Sequence, residues 1–480
     1  MATTSPGSAH GPAGQPGVIA AEVREGDYGD RVLAIEPGGA ELIPLSERHG
    51  RPLQLFWTWM SPNLEFATVF VGVIAVLYFG LSFWRAVAAI VLGTALGSVS
   101  MGILSARGPA FGVPQMVLSR ISFGYLGNIL PAGLNAVTAS MGWFAVNSVS
   151  GALALAALTS LPNALCLVIV VVAQIVIGSF GHNLVHVFER YAFPVLAIIF
   201  AITAVIILSK SHPGTPVKGI PGGFLITVGA AYGYAAGWNP YAADYTRYFR
   251  PDTDRRATAL WSGLGVFVSC TLLEIVGAAS VTITGKASAN PTVDFTGHLP
   301  TLVADLTLLA IALGAVAANV INIYSGAMSF LALGVRLPLA LRRAIVAVAA
   351  GTVGFILALY GLNDAGAKYE NFLLVIAYWI GPWLGVYLTD WFLRRPNRVD
   401  GFLFDRRHNP WAGFAAMAIA MVVSIWLFSN QTKYIGVIPK HYPGFGDVTF
   451  EVGFALAVVL YAVFFFLQHD RKSETLVLPD

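Results

Sequence analysis

The feature that most constrains this chain is a succession of long apolar runs. They fall near residues 53–80, 83–106, 128–158, 161–181, 186–209, 223–249, 258–285, 300–334, 341–362, 369–393, 410–428 and 450–468. Each is long enough to cross the roughly 30 Å hydrocarbon layer of a bilayer as a helix. Lipid offers no partner for backbone N–H and C=O groups, so a run at that depth must satisfy them within itself. The expectation is an all-α integral membrane protein with about twelve transmembrane helices. The chain is 56% hydrophobic and only 11% charged, against about 25% charged in an ordinary soluble domain. That is too few charges to cover a water-facing surface. A dispersed net charge of +3, without a basic patch, argues against nucleic-acid binding. Cys166 and Cys270 both lie in apolar runs and read as packing thiols rather than a disulfide framework.

Residues 1–50 are rich in Gly, Pro, Ser and charge, with no basic stretch followed by an apolar core. They are expected to form a disordered cytoplasmic tail rather than a cleaved signal peptide. Residues 51–470 are expected to form one transmembrane domain, and 471–480 a short cytoplasmic C-terminal tail. An even number of spans puts both termini on one side. Of the 28 Lys and Arg residues, 21 then fall on the side of the termini and 7 on the other, and every Arg except Arg85 is on the first side. By the positive-inside rule the termini face the cytoplasm of a plasma-membrane protein.

Two of the runs carry matching faults. Ser61-Pro62-Asn63 interrupts the first, and Gly237-Trp238-Asn239-Pro240 interrupts the sixth. Ser and Asn are strong N-cap residues, and Pro is favoured in the first turn of a helix. Each fault therefore reads as a restart, with new half-helices beginning at Pro62 and Pro240. Backbone freed at membrane depth is tolerated only where it is buried in protein or lines a cavity. Paired interruptions in two halves of a membrane chain point to a transporter's binding site. The first fault opens spans 1 to 5 and the second opens spans 6 to 10. The two sets then run with opposite orientation as a 5+5 inverted repeat, with spans 11 and 12 appended.

Five stretches in order carry a resemblance: SRISFGYLG (119–127), LNAVTASMGWFAVNS (134–148), FGHNLVHVFERY (180–191), GWNPYAADYTRY (237–248) and AANVINIYSGAMSFLALG (317–334). The chain resembles the nucleobase:cation symporter-1 family, in its purine-cytosine permease branch. The resemblance implies a LeuT-like fold with helices 1 and 6 broken, and symport of a planar heterocycle, cytosine or a purine, with a cation. Hydantoin, allantoin or vitamin-type rings are alternatives on the same scaffold.

The resemblance also makes one face of span 3 substrate-facing. Trp143 and Asn147 are four residues apart and share that face. A flat base needs an aromatic plate for its π face and amides for its polar edge, which is the division of labour that Trp and Asn provide. By resemblance Trp238 covers the other side of the ring and Asn322 on span 8 contributes a second amide. Asn319, one turn earlier, is either a further ligand or a bond between helices.

Glu65, three residues past Pro62, is an intramembrane acid and hence a candidate for cation coupling. Sodium-coupled relatives place hydroxyls on span 8 about one turn before the substrate Asn, where this chain has Leu313, Val316 and Ala317. Protons are therefore expected in preference to sodium, with Glu65 the carrier and no resident cofactor or metal. His182, His186 and Glu189 fall on one helical face and suggest a metal site and a membrane metalloenzyme. The FGH, VH and ERY elements of the family pattern account for them without one.

Overall fold

The computed structural model describes residues 18–24, 39–178, 182–216, 218–285, 290–335, 342–362, 365–395, 397–468 and 472–477. Part of the expected basic loop at 336–343 lies outside them. The twelve spans appear in order. Span 1 consists of two halves, Gln54–Met60 and Phe66–Leu77, bent by 59° at the break. Span 2 is Phe83–Ser105, span 4 Asn163–Gly178 and span 5 His182–Lys210. Span 3 runs from Ile129–Val137 through a π-helical turn at Thr138–Trp143 into Phe144–Thr159. Span 6 is Gly223–Ala236 followed by Asn239–Tyr241 and Ala242–Thr246. Span 7 is Arg255–Thr284, span 8 Thr301–Ala332 and span 9 Arg342–Gly361. Span 10 is Ala365–Arg394, span 11 Trp411–Phe428 and span 12 Thr449–Leu467. Among the described residues, eight helices are long and apolar enough to cross a bilayer alone, and the bent pair makes a ninth. Spans 4, 6 and 9 complete the set.

Packing separates a central bundle from a periphery. The most apolar window of span 8 is 83% buried in protein, whereas those of spans 5 and 12 are 22% buried and leave most of their surface for lipid. Span 8 packs against spans 3, 4 and 5 and both breaks lie beside the bundle it anchors. A helix so enclosed can carry amides in its middle, because neighbouring helices rather than acyl chains satisfy them. Small residues set the closest approaches. A Cβ on Gly72 would overlap the Glu274 carbonyl, and one on Gly277 would overlap the Val69 carbonyl, so the outer half of span 1 lies backbone to backbone on span 7.

The terminal segments differ from the expected disordered tails. Val18–Ala20 pairs in parallel with Thr475–Val477, Val23 bridges to Leu42, and Leu42 and Ile43 are buried. Arg24, also buried, pairs with Glu47 and donates to the Tyr248 hydroxyl at 3.1 Å. The polar, Gly-rich composition hid a short alternation of Val, Ile and Leu that needs only a strand partner and a helix end to be buried. The pairing puts Val18–Ala20 and Thr475–Val477 on the same face of the bundle, as an even number of spans requires.

Candidate functional site

The first break does not begin at Pro62. Ser61–Asn63 forms a tight turn that prolongs the inner half of span 1, and the chain leaves helical geometry at Leu64 (ψ 67°) and Glu65 (φ −153°, ψ 175°). Glu65 is the N-cap of the outer half, its Oε2 accepting from Ala67 N at 2.8 Å. Pro62 sits in the first turn of the short helix, where its missing N–H is not needed. The capping oxygen comes from Glu65 because a carboxylate at a helix start also meets the positive end of the dipole. At the second break, Gly237 ends the outer helix of span 6 and a tight turn starts at Asn239. Asn239 caps nothing; its Nδ2 donates to Ser100 Oγ on span 2 at 2.6 Å. The backbone at the second break stays near helical values, so span 6 is kinked rather than unwound.

Asn63 ties the two breaks together. Its Nδ2 donates to Trp59 O at 2.7 Å, and its Oδ1 accepts from Trp238 Nε1 at 2.8 Å. Around Glu65 a second network runs outward. Its Oε1 accepts from Tyr234 OH at 3.2 Å, Tyr234 OH lies 2.5 Å from Thr68 Oγ1, and Thr68 donates to Asn63 O at 2.6 Å. Tyr234 had no place in the sequence reading, although it stands one turn before Trp238 on the same face.

Trp143 and Trp238 both border this junction. Trp143 packs edge-on against Tyr234, with centroids 5.3 Å apart, and Phe372 at 5.1 Å, and its ring lies against Gly237. Trp238 packs on Trp59 at 5.8 Å and Tyr241 at 5.6 Å. Each indole thus has its own aromatic bed on a separate side of the span 6 break. The π turn Thr138–Trp143 ends at Trp143 and resets the register of span 3 before Asn147, a device frequent at functional sites.

The three amides converge. Asn147 Nδ2 donates to Asn319 Oδ1 at 3.0 Å, and Asn322 Nδ2 donates to the same oxygen at 3.1 Å. Asn319 Nδ2 donates to Phe144 O at 2.9 Å and Ser148 Oγ at 3.2 Å. Asn322 Oδ1 accepts from Tyr241 OH at 3.2 Å, whereas Asn147 Oδ1 is buried without a partner among the described residues. Tyr241 follows Pro240 directly, so span 6 touches the amides through a residue that the sequence reading passed over. All five indole and amide side chains are buried.

Cavities lie above and below it. A cavity of about 280 Å³ on the side away from the termini is lined by Phe66, Phe70, Val149, Tyr360, Tyr369 and Phe372. One of about 160 Å³ on the terminal side is lined by His49, Thr58, His182, His186, Tyr245 and Phe249. The histidines are thus vestibule residues: His182 stacks on Tyr248 with centroids 3.9 Å apart, and His186 Nδ1 lies 3.3 Å from Thr58 Oγ1. Among the described residues no group of three or more His, Cys, Asp or Glu is placed to hold a metal ion. At the first break, span 8 passes so close that a Cβ added at Gly314 would overlap the Leu64 carbonyl; Val316 and Ala317, the span 8 positions expected to carry hydroxyls for sodium, have no side-chain oxygen.

A family model described as a permease for cytosine/purines, uracil, thiamine and allantoin matches residues 42–453. The chain belongs to that permease family. YxlA of Bacillus subtilis is 31% identical over 449 residues, covering 90% of this chain and 96% of its own. The purine-cytosine permease fcyB of Emericella nidulans is 30% identical, covering 89% and 88%. Among solved structures, the nucleobase-cation-symport-1 transporter Mhp1, closed with bromovinylhydantoin bound, superposes with a TM-score of 0.71 at 20% identity, over 90% of this chain and 95% of that one. Its inward-facing form gives a TM-score of 0.70. The expected LeuT-like fold therefore holds, with span 1 and span 6 as the interrupted helices. The protein is a membrane permease and not an enzyme, and the metalloenzyme reading of His182, His186 and Glu189 falls.

Proposed function

We propose that this permease imports a nucleobase, cytosine or a purine, through the cytoplasmic membrane by proton symport and alternating access, with both termini in the cytoplasm. The observation that carries the reading is the convergence of Trp143, Trp238, Asn147 and Asn322 where both helix breaks meet. Two indoles supply apolar faces for a flat ring, and the amides supply hydrogen bonds for its edge. The basic residues gathered on the terminal face support a cytoplasmic location for it. Two relatives named as purine-cytosine permeases, fcyB and yeast FCY2, cover most of the chain and support the substrate class.

The chemistry at the first break supports proton coupling. Span 8 meets it at Gly314, and Val316 and Ala317, where sodium-coupled relatives are expected to have hydroxyls, carry none. Glu65 brings an ionisable group, bonded to Ala67 N and Tyr234 OH and so linked to the edge of Trp143. A proton carried on Glu65 with the substrate neutralises the acid and lowers the cost of passing through a closed, dry state. Competition of a heterocycle panel against labelled cytosine uptake in cells expressing the protein tests the substrate. Cytosine and adenine should compete, with hydantoin, allantoin and pyridoxine weaker; preferential inhibition by one of the last three would reassign the substrate.

A further inference from the structure

The polarity of the amide cluster can be traced to one backbone atom. Phe144 O is an acceptor and nothing else, so the Asn319 group 2.9 Å from it must be the NH2 end. Ser148 Oγ takes the second Asn319 hydrogen at 3.2 Å, and is free to do so because its own hydrogen goes to Gln174 Oε1 at 2.9 Å. Asn319 Oδ1 is then forced to face Asn147 and Asn322. An oxygen there can only accept, so both neighbours must turn their NH2 groups to it, at 3.0 and 3.1 Å. Amide orientations are fixed by such networks, and this one has an unambiguous end.

The consequence falls on the atoms that remain. Turning both NH2 groups to Asn319 leaves two oxygens: among the described residues, Asn147 Oδ1 is buried without a partner and Asn322 Oδ1 receives only the Tyr241 hydroxyl. A carbonyl oxygen has two lone pairs, so Asn322 Oδ1 can accept once more. We propose that Asn319 is a positioning residue that holds Asn147 and Asn322 with their oxygens toward the substrate, so that the site selects flat heterocycles bearing an exocyclic amine. Asn319 does not itself read the ring; its hydrogen-bonding groups are taken up between span 3 and span 8. An exocyclic amine, as on adenine and cytosine, carries two N–H donors and can satisfy both buried acceptors. A ring of the same shape without the amine leaves both of them bare. A site built to bond a polar group rejects the analogue lacking it far more strongly than an apolar pocket rejects a missing methylene.

The inference rests on the nucleobase reading of this site, and one experiment separates the two. Labelled cytosine uptake is competed with adenine, with purine, which lacks only the exocyclic amine, and with N6,N6-dimethyladenine, in cells expressing the wild type, Asn319→Leu or Asn319→Asp. In the wild type adenine should compete at least about tenfold better than either analogue, the factor that one hydrogen bond's worth of about 1.4 kcal/mol gives. Asn319→Leu keeps the side-chain volume but frees both neighbours to turn, so the adenine-to-purine ratio should fall to within about threefold of unity while surface expression persists. Asn319→Asp, protonated so that it donates to Phe144 O and still offers an oxygen to both neighbours, should keep the ratio. If no nucleobase competes in the wild type, the substrate reading itself fails. If nucleobases compete without discrimination, or Asn319→Leu discriminates as the wild type does, the orienting role of Asn319 is overturned. Should Asn319→Leu not reach the membrane, the Asp variant decides alone, and loss of its ratio counts against the proposal.

Discussion

Trp143 and Trp238 do different things in the buried site, and their variants should separate. Trp143 presents its edge to Tyr234 and Phe372 and bonds no other side chain among the hydrogen bonds described, whereas Trp238 also donates to Asn63 and so holds the two breaks together. Trp143→Ala should weaken binding by on the order of 1–3 kcal/mol, the range for one base–aromatic stack. Trp238→Phe should keep part of the stacking but lose the Asn63 bond, lowering affinity and melting temperature together. Binding to purified protein by isothermal titration, alongside a melting curve, checks both; unchanged affinity in Trp143→Ala would remove the stacking model. The sequence singled out residues that the structure links, Asn147 to Asn322 through Asn319 and Trp238 to Asn322 through Tyr241. Asn63 was read only as lining, and Tyr234 and Tyr241 were missed, because their importance lies in partners on other helices rather than in sequence spacing.

The outer half of span 1 is the element on which the proposed coupling turns, being capped by Glu65 and laid against span 7. Gly72 and Gly277 permit that contact, and a methyl group at either would meet carbonyl oxygen. Gly72→Ala should destabilise the protein by about 1–3 kcal/mol through overpacking. A fall in melting temperature and in detergent-extracted yield measures it; a wild-type melting curve would mean that the helices sit farther apart than described. The sequence placed both interruptions within a few residues but misassigned their caps. Pro62 and Pro240 looked like restart points because proline suits a first helical turn. The chain uses each in a short tight helix instead, and puts the true N-cap of span 1 at Glu65. Propensity could not reveal this, since the residue that leaves helical geometry is chosen by the dipole and by Tyr234 across the bundle.

At the scale of the molecule, the terminal segments join at the end of span 6. Arg24 reaches Tyr248 at the end of span 6, and Arg407 pairs with Glu474 at 2.8 Å beside the strand pair. A protein ending at residue 471 loses the second strand, so Arg24, now buried, should become a site of rapid tryptic cleavage. Cleavage no faster than in the full chain would show that the first strand holds without its partner. This part of the fold escaped the sequence because three-residue strands lie below any periodic signal, while the twelve long apolar runs were unmistakable. The proposed transport cycle is proton-driven import through a site linked to Glu65. It is tested most directly by labelled cytosine uptake into proteoliposomes under imposed gradients, comparing wild type with Glu65→Gln. The wild type should accumulate cytosine with an inward proton gradient and no sodium. Glu65→Gln should exchange cytosine by counterflow yet fail to accumulate it. Accumulation that requires sodium, survives collapse of the proton gradient and is untouched by Glu65→Gln would contradict the account.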